Sequence, residues 1–166
     1  MTASLPGPIT GSSSTNRRRE GPALNDPALG SARQALYDTG LRIRSDVVGA
    51  EYVTESLSRN SGADGEALQE YVTETVWGSV WSRPGLDRRS RSLMTIGMLV
   101  ALNHHAELAV HVRAALGNGL TRDEIVESII HATAYCGTPA GIAAMRVTQE
   151  VLERELGPRT DAGEHR

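Results

Sequence analysis

Two histidines and a glutamate recur at helical spacing in the stretch Asn103-His104-His105-Ala106-Glu107-Leu108-Ala109-Val110-His111-Val112-Arg113. In a helix, residues three and four apart share a face, so His104, Glu107 and His111 project as one polar line. Leu108, Val112, Ala115 and Leu116 fall on another face, with the spacing of a buried stripe. An imidazole one turn from a carboxylate suits general acid or base chemistry: His111 moves the proton, Glu107 orients it and His104 touches the substrate. The same spacing also describes an exposed helix face whose charge pairs are common and inert. A metal set of two imidazoles and a carboxylate is a third reading. Residues seven apart on one helix lie roughly 10 Å apart along its axis, too far to chelate one ion easily, so no metal is expected.

Other side chains with chemistry surround this stretch in sequence. Arg83, Arg88, Arg89, Arg91 and Arg113 offer the planar fork that captures carboxylates, although some of them must be plain surface charge. Glu127, His131 and Tyr135 follow one another at four-residue intervals and form a second polar line, in which His131 also reads as a satisfied core histidine. Trp77 and Trp81, four apart, can wall a pocket or fill a core. Cys136, beside Gly137, reads as a small packing residue, since thiol reactivity requires a lowered pKa.

Composition removes several classes of mechanism. All 17 basic residues are arginine, so a Schiff base on a protein lysine is excluded, as is the usual lysine anchor for pyridoxal phosphate. A single cysteine in 166 residues excludes an intrachain disulfide and a Cys-x-x-Cys redox pair. The net charge of -3 gives no bulk attraction for nucleic acid. No apolar run reaches the roughly 18 residues of a membrane span, and the N-terminus lacks the apolar core of a secretory signal, so a cytoplasmic location is expected. With no Phe, the core must rest on Leu, Ile, Val, Ala and Met, with the two tryptophans as large anchors.

The elements that must position these residues are helices throughout, because no segment alternates with period two. Residues 1–26, rich in Pro, Gly and Ser and carrying Arg17-Arg18-Arg19, read as a disordered tail, and 158–166 as a polar one. Between them, 27–157 reads as one all-α domain of about six to seven helices. Asp26-Pro27 starts a helix to about 44, with Leu29, Leu36, Leu41 and Ile43 as apolar positions. A second runs over 46–57. Asp64 caps a third, whose stripe is Leu68, Val72, Val76, Trp77 and Val80, up to the Arg83-Pro84-Gly85 turn. Asp87 caps a fourth, the most apolar and therefore expected at the centre. The fifth is the opening stretch, ended by Gly117-Asn118-Gly119. Thr121-Arg122-Asp123-Glu124 reads as a capping box for a sixth with Ile125, Ile129 and Ile130 inward, and Pro139 opens a seventh to about 156.

Taken in order, Trp77-Gly78-Ser79-Val80-Trp81-Ser82-Arg83-Pro84-Gly85-Leu86, Arg91-Ser92-Leu93, Glu107-Leu108-x-x-His111-x-Arg113-Ala114-Ala115, Gly119-Leu120-Thr121 and Tyr135-Cys136-Gly137-Thr138-Pro139-Ala140 resemble the carboxymuconolactone decarboxylases over about residues 33–155. The resemblance implies an alkylhydroperoxidase-like all-α fold assembled into homotrimers or homohexamers. It also implies decarboxylation, without any cofactor, of 4-carboxymuconolactone to the 3-oxoadipate enol-lactone of aromatic catabolism. The related peroxidase branch carries two cysteines where this chain has His104 and Glu107. By the resemblance, His111 and Glu107 are catalytic, Arg91 or Arg113 contacts a substrate carboxylate, and His104, Trp81, Tyr135 and His131 line the substrate. His104 stands where the family often has Arg, and His131 where the catabolic enzymes often carry Gln. These departures leave open a relative acting on another lactone or keto acid in a biosynthetic route, or a catalytically silent oligomeric scaffold. The implied partner is a small carboxylate or lactone, with no nucleic acid and no membrane.

Overall fold

A computed structural model describes residues 26–160, so the predicted N-terminal tail and most of the C-terminal one lie outside the described residues. Among those described there are seven α-helices and no strand, and the all-α expectation holds. The helices are α1 (Pro27–Val48), α2 (Ala50–Asn60), α3 (Glu66–Val72), α4 (Arg88–Leu102), α5 (His105–Gly117), α6 (Arg122–Cys136) and α7 (Thr138–Leu156). Helix α3 continues without a break into a π-helical stretch, Thr73–Trp81.

Local chemistry sets most of the boundaries. The Asp26 carboxylate accepts from the Ala28 N–H at 2.9 Å, with Pro27 at the first helical position. Asp87 accepts from the Ser90 N–H at 2.7 Å to start α4. At α6 the capping box is complete: Thr121 Oγ1 accepts from the Glu124 N–H and Glu124 Oε2 from the Thr121 N–H.

Four expectations need correction. Helix α1 runs past Asp46 because Val47 and Val48 continue its buried face, and it stops only at Gly49, whose φ of 97° suits glycine. Asp64 makes no cap hydrogen bond to α3, which starts after Gly65. Helix α4 is not the centre. It buries Ser92, Ile96 and Val100 and leaves Leu93, Met94, Met98 and Leu102 exposed, more apolar surface than its neighbours α5, α6 and α7 cover. The central element is α5, which packs on α1, α4, α6 and α7. On α6, Ile125 and Ile129 are buried while Ile130 is exposed.

A further departure from the predicted pattern is the π stretch, where the buried line is Thr73, Trp77 and Gly78, while Val76, Val80 and the upstream Leu68 are exposed. Widening the helix by a residue per turn rotates the inward face away from the 3.6-residue stripe. This segment makes the molecule's most extensive helix pairing, with α1. Gly40 of α1 and Gly78 let the two backbones meet, for a Cβ at Gly40 would overlap the Thr73 carbonyl oxygen and one at Gly78 the Leu36 carbonyl oxygen.

Two apolar clusters result. Ile96, Val100, Leu108, Val112, Ile125 and Ile129 form one, and Val47, Val48, Val53, Trp77 and Ala114 the other. Helix α5 supplies both, so its remaining polar line is held in place by two cores. A glycine exchange tests the backbone contact. Gly40→Ala should lose about 1–3 kcal/mol through overpacking, whereas Gly30→Ala, with nothing within 4 Å of its new Cβ, should gain up to about 1 kcal/mol of helix propensity. Urea denaturation reads both, and equal effects would contradict a Gly40-specific contact.

Candidate active site

Leu108 and Val112 are fully buried, and their side chains fix the rotation of α5. On that rotation His104 and Glu107 reach solvent and His111 is half-buried. The predicted polar line therefore runs from water into the protein. Asn103, in the left-handed region at φ 57°, makes the tight turn from α4. There the His104 N–H donates to the Leu99 carbonyl at 3.0 Å and the His104 carbonyl accepts from the Leu108 N–H at 2.9 Å. His105 turns inward, with a buried Nε2 that has no hydrogen-bond partner among the described residues.

The environment of His111 is aromatic. Its ring lies 6.5 Å from Trp77 and within 6° of parallel, and Trp77 in turn meets Trp81 at 5.0 Å with a 32° tilt. Trp77 is 6% exposed and belongs to the second core cluster, while Trp81 is half-buried. Spacing alone does not single out Trp77, because a tryptophan four residues from another reads equally as core and as pocket wall. Burial lowers the His111 pKa from its ordinary 6.5, and the Glu107 carboxylate opposes that shift. The imidazole is thus a stronger acid when protonated than a free histidine.

The two arginines carried over from the resemblance are tied to backbone. Arg91 donates through Nε to the Leu86 carbonyl at 3.2 Å and through a terminal nitrogen to that of Arg83 at 2.9 Å, bracing the loop that follows Trp81. Arg113 donates to the Val48 carbonyl at 3.1 Å and lies 5.8 Å from the Tyr52 ring centroid. Arg88 and Arg89 instead form ion pairs with Asp46 and Glu124. Neither Arg91 nor Arg113 has an acidic partner among the described ion pairs. Their carbonyl contacts fix the guanidinium groups without neutralising them, an arrangement that suits anion capture.

His131 and Tyr135 form a separate group. Both are exposed on α6, with rings 5.0 Å apart. They line a groove of about 920 Å³ between α4 and α6, together with Leu93, Met94, Glu127 and Cys136. The Cys136 thiol donates to the Ala132 carbonyl at 3.0 Å. The eight sequence-predicted site residues therefore divide three ways. His104, Glu107 and His111 lie along α5, and Trp81 joins His111 through Trp77. Arg91 and Arg113 sit on loop and helix-end carbonyls, and His131 and Tyr135 line the groove.

The buried imidazole has a measurable signature. NMR titration of His111 should give a midpoint below 6.5, and Glu107→Gln should move it lower still, because the opposing charge is removed. In the pH range just below 6.5 the unfolded chain then binds more protons than the folded one, so stability falls as pH falls, and His111→Gln should flatten that slope. A midpoint at or above 6.5 would contradict the burial.

Comparison with known proteins places the chain in a family. The pattern described as the carboxymuconolactone decarboxylase family matches residues 66–150, from the start of α3 into α7. The chain is 42% identical over 142 residues to nitrosuccinic acid decarboxylase npaB of Metarhizium robertsii, covering 86% of this chain and 96% of that protein. It is 44% identical over 121 residues to 4-carboxymuconolactone decarboxylase of Acinetobacter baylyi, covering 73% of this chain and 89% of that one. Both relatives are decarboxylases by name, and loss of carbon dioxide is the reaction class they support for this chain. With this extent of identity joined to an all-α fold, the chain belongs to the carboxymuconolactone decarboxylase family.

Proposed function

We propose that the protein decarboxylates 4-carboxymuconolactone to the 3-oxoadipate enol-lactone without a cofactor, with His111 delivering the proton to carbon. The observation that carries this reading is the half-buried His111 imidazole, stacked on Trp77 with Glu107 one turn away. As the bond to the departing carboxylate breaks, its electrons move through the ring double bond onto the lactone carbonyl. The substrate is its own electron sink, so the protein has three tasks: to hold the remaining carboxylate, to stabilise the developing oxyanion and to supply a proton. Arg91 or Arg113 takes the carboxylate, and Glu107 supports the imidazolium form of His111. Trp81 walls the ring, and His104 lines the mouth of the site.

A second reading has its own support, the 42% identity that spans 96% of a nitrosuccinic acid decarboxylase. The electron logic is the same there, for a nitro group beside the departing carboxylate accepts the pair as a nitronate, which is then protonated at carbon. We take the lactone as the first candidate and the nitro acid as its competitor.

The assembly proposed with this reading is a homotrimer or homohexamer. It is supported by the apolar residues that α4 and α6 leave in water, with Leu102 62% and Tyr135 81% exposed, an area that a second copy would cover. His131 and Tyr135 then line substrate through a subunit contact.

Carbon dioxide release, measured beside ultraviolet loss of the lactone, tests the substrate. Turnover of 4-carboxymuconolactone, reduced roughly 10²–10⁴-fold in His111→Gln, is the expected outcome. Release from nitrosuccinate alone would transfer the assignment to the second reading, and release from neither would remove both. Sedimentation tests the assembly: the wild type should run as a trimer or hexamer and Leu102→Glu as a smaller species, and a monomeric wild type would contradict it.

A further inference from the structure

Among the described residues, one buried cation lies outside the site. Arg44 of α1 is buried, and its guanidinium meets only neutral acceptors. It donates to Gln69 Oε1 on α3 at 2.8 Å, to Thr73 Oγ1 at 3.1 Å and to Ser56 Oγ on α2 at 3.3 Å. An arginine kept inside without an acid is costly unless its geometry is needed, and removing its partners costs more. A fastener of α1 to α2 would serve as well with an apolar side chain, so its particular acceptors carry the meaning.

Thr73 is the first residue of the π stretch and is fully buried. Its hydroxyl accepts from Arg44 and donates to the Gln69 carbonyl at 2.8 Å, the carbonyl that also receives the Thr73 N–H. A hydroxyl that shares an i−4 carbonyl loosens the α-helical ladder at that point. It does so here where the hydrogen bonding widens. Four residues on stands Trp77, and four beyond that Trp81, so the register chosen at Thr73 decides where both indoles point. Gly40 seats α1 against the Thr73 carbonyl and Gly78 seats the widened helix against that of Leu36, while Arg44 holds the Thr73 side chain, which the glycine contacts leave unfixed.

We propose that Arg44 is a positioning residue: by fixing Thr73 at the α-to-π junction it sets the Trp77–Trp81 pair, and through Trp77 the plane and burial of the His111 imidazole. The inference rests on the proposed role of His111 for its catalytic consequence, but not for its structural one. Arg44 is buried with its donors turned to Gln69, Thr73 and Ser56, so it should act on kcat and leave KM nearly alone.

The test is Arg44→Met, which keeps length and removes the donors, with Arg44→Lys as the conservative variant and Thr73→Val removing the acceptor while Arg44 stays. Three readouts are taken: the exciton couplet of the tryptophan pair in circular dichroism, the NMR titration of His111, and steady-state kinetics on whichever acid the wild type decarboxylates. In Arg44→Met and Thr73→Val the couplet should collapse, the His111 midpoint should move toward 6.5, and kcat should fall roughly tenfold or more with KM within about twofold; Arg44→Lys should restore part of each. Variants that lose thermal stability yet keep the couplet, the titration and kcat would show Arg44 to be a structural fastener only. If Arg44→Met does not fold, Thr73→Val decides alone, and an unchanged couplet there overturns the proposal. Because the couplet and the titration need no substrate, an enzyme inactive on both candidate acids would sink the proposed function while leaving the positioning role measurable.

Discussion

The structure depends on two backbones being allowed to touch. Where α1 crosses the π-helical stretch, Gly40 and Gly78 present no side chains, and each backbone comes against a carbonyl of the other helix. Helices that pack through larger side chains stay about 8–10 Å apart. On the same buried line as Gly78, Trp77 enters the apolar cluster that Val47, Val48 and Val53 share with Ala114 of α5. Were the helices spread by even one methyl group, the stack of Trp77 on His111 would open, and with it the burial that lowers the His111 pKa. The catalytic reading of α5 is thus tied to the contact between α1 and the widened helix.

Electrostatics divides the labour among groups of one chemical type. Every basic side chain is an arginine, yet their surroundings differ. Arg33, Arg88 and Arg89 are matched with carboxylates and serve the surface. Arg44 is buried against neutral oxygens. Arg91 and Arg113 are held by carbonyl oxygens that orient them but leave the charge available. Since arginine stays charged at any working pH, proton exchange near neutrality on the α5 line falls to histidine, and at His111 burial and the glutamate neighbour act in opposite directions.

Much of this arrangement is legible in the residues. The caps at Asp26, Asp87 and Thr121 mark helix starts correctly because they act locally, through one side chain and one or two N–H groups. The polar line of α5 is equally readable, since Leu108 and Val112 leave one rotation that buries both. What escapes is non-local. The π register from Thr73 answers to Arg44, 29 residues away, so the 3.6-residue stripe drawn through Leu68, Val76 and Val80 points outward instead. Helix α4 looks central because its apolar residues are many, but how many of them one chain covers is decided by its neighbours. Trp77 has the same composition signal as a core residue and becomes part of the site only through a ring 34 positions later in sequence, which no spacing rule detects.

The claim on which the rest hangs is that carbon receives its proton from a fixed imidazole and not from bulk water. Turnover in deuterium oxide, with the product read by NMR, tests it most directly. Delivery by His111 predicts one deuterium per product molecule at the newly protonated carbon, on a single face. Deuterium spread equally over both faces of the wild-type product would contradict it.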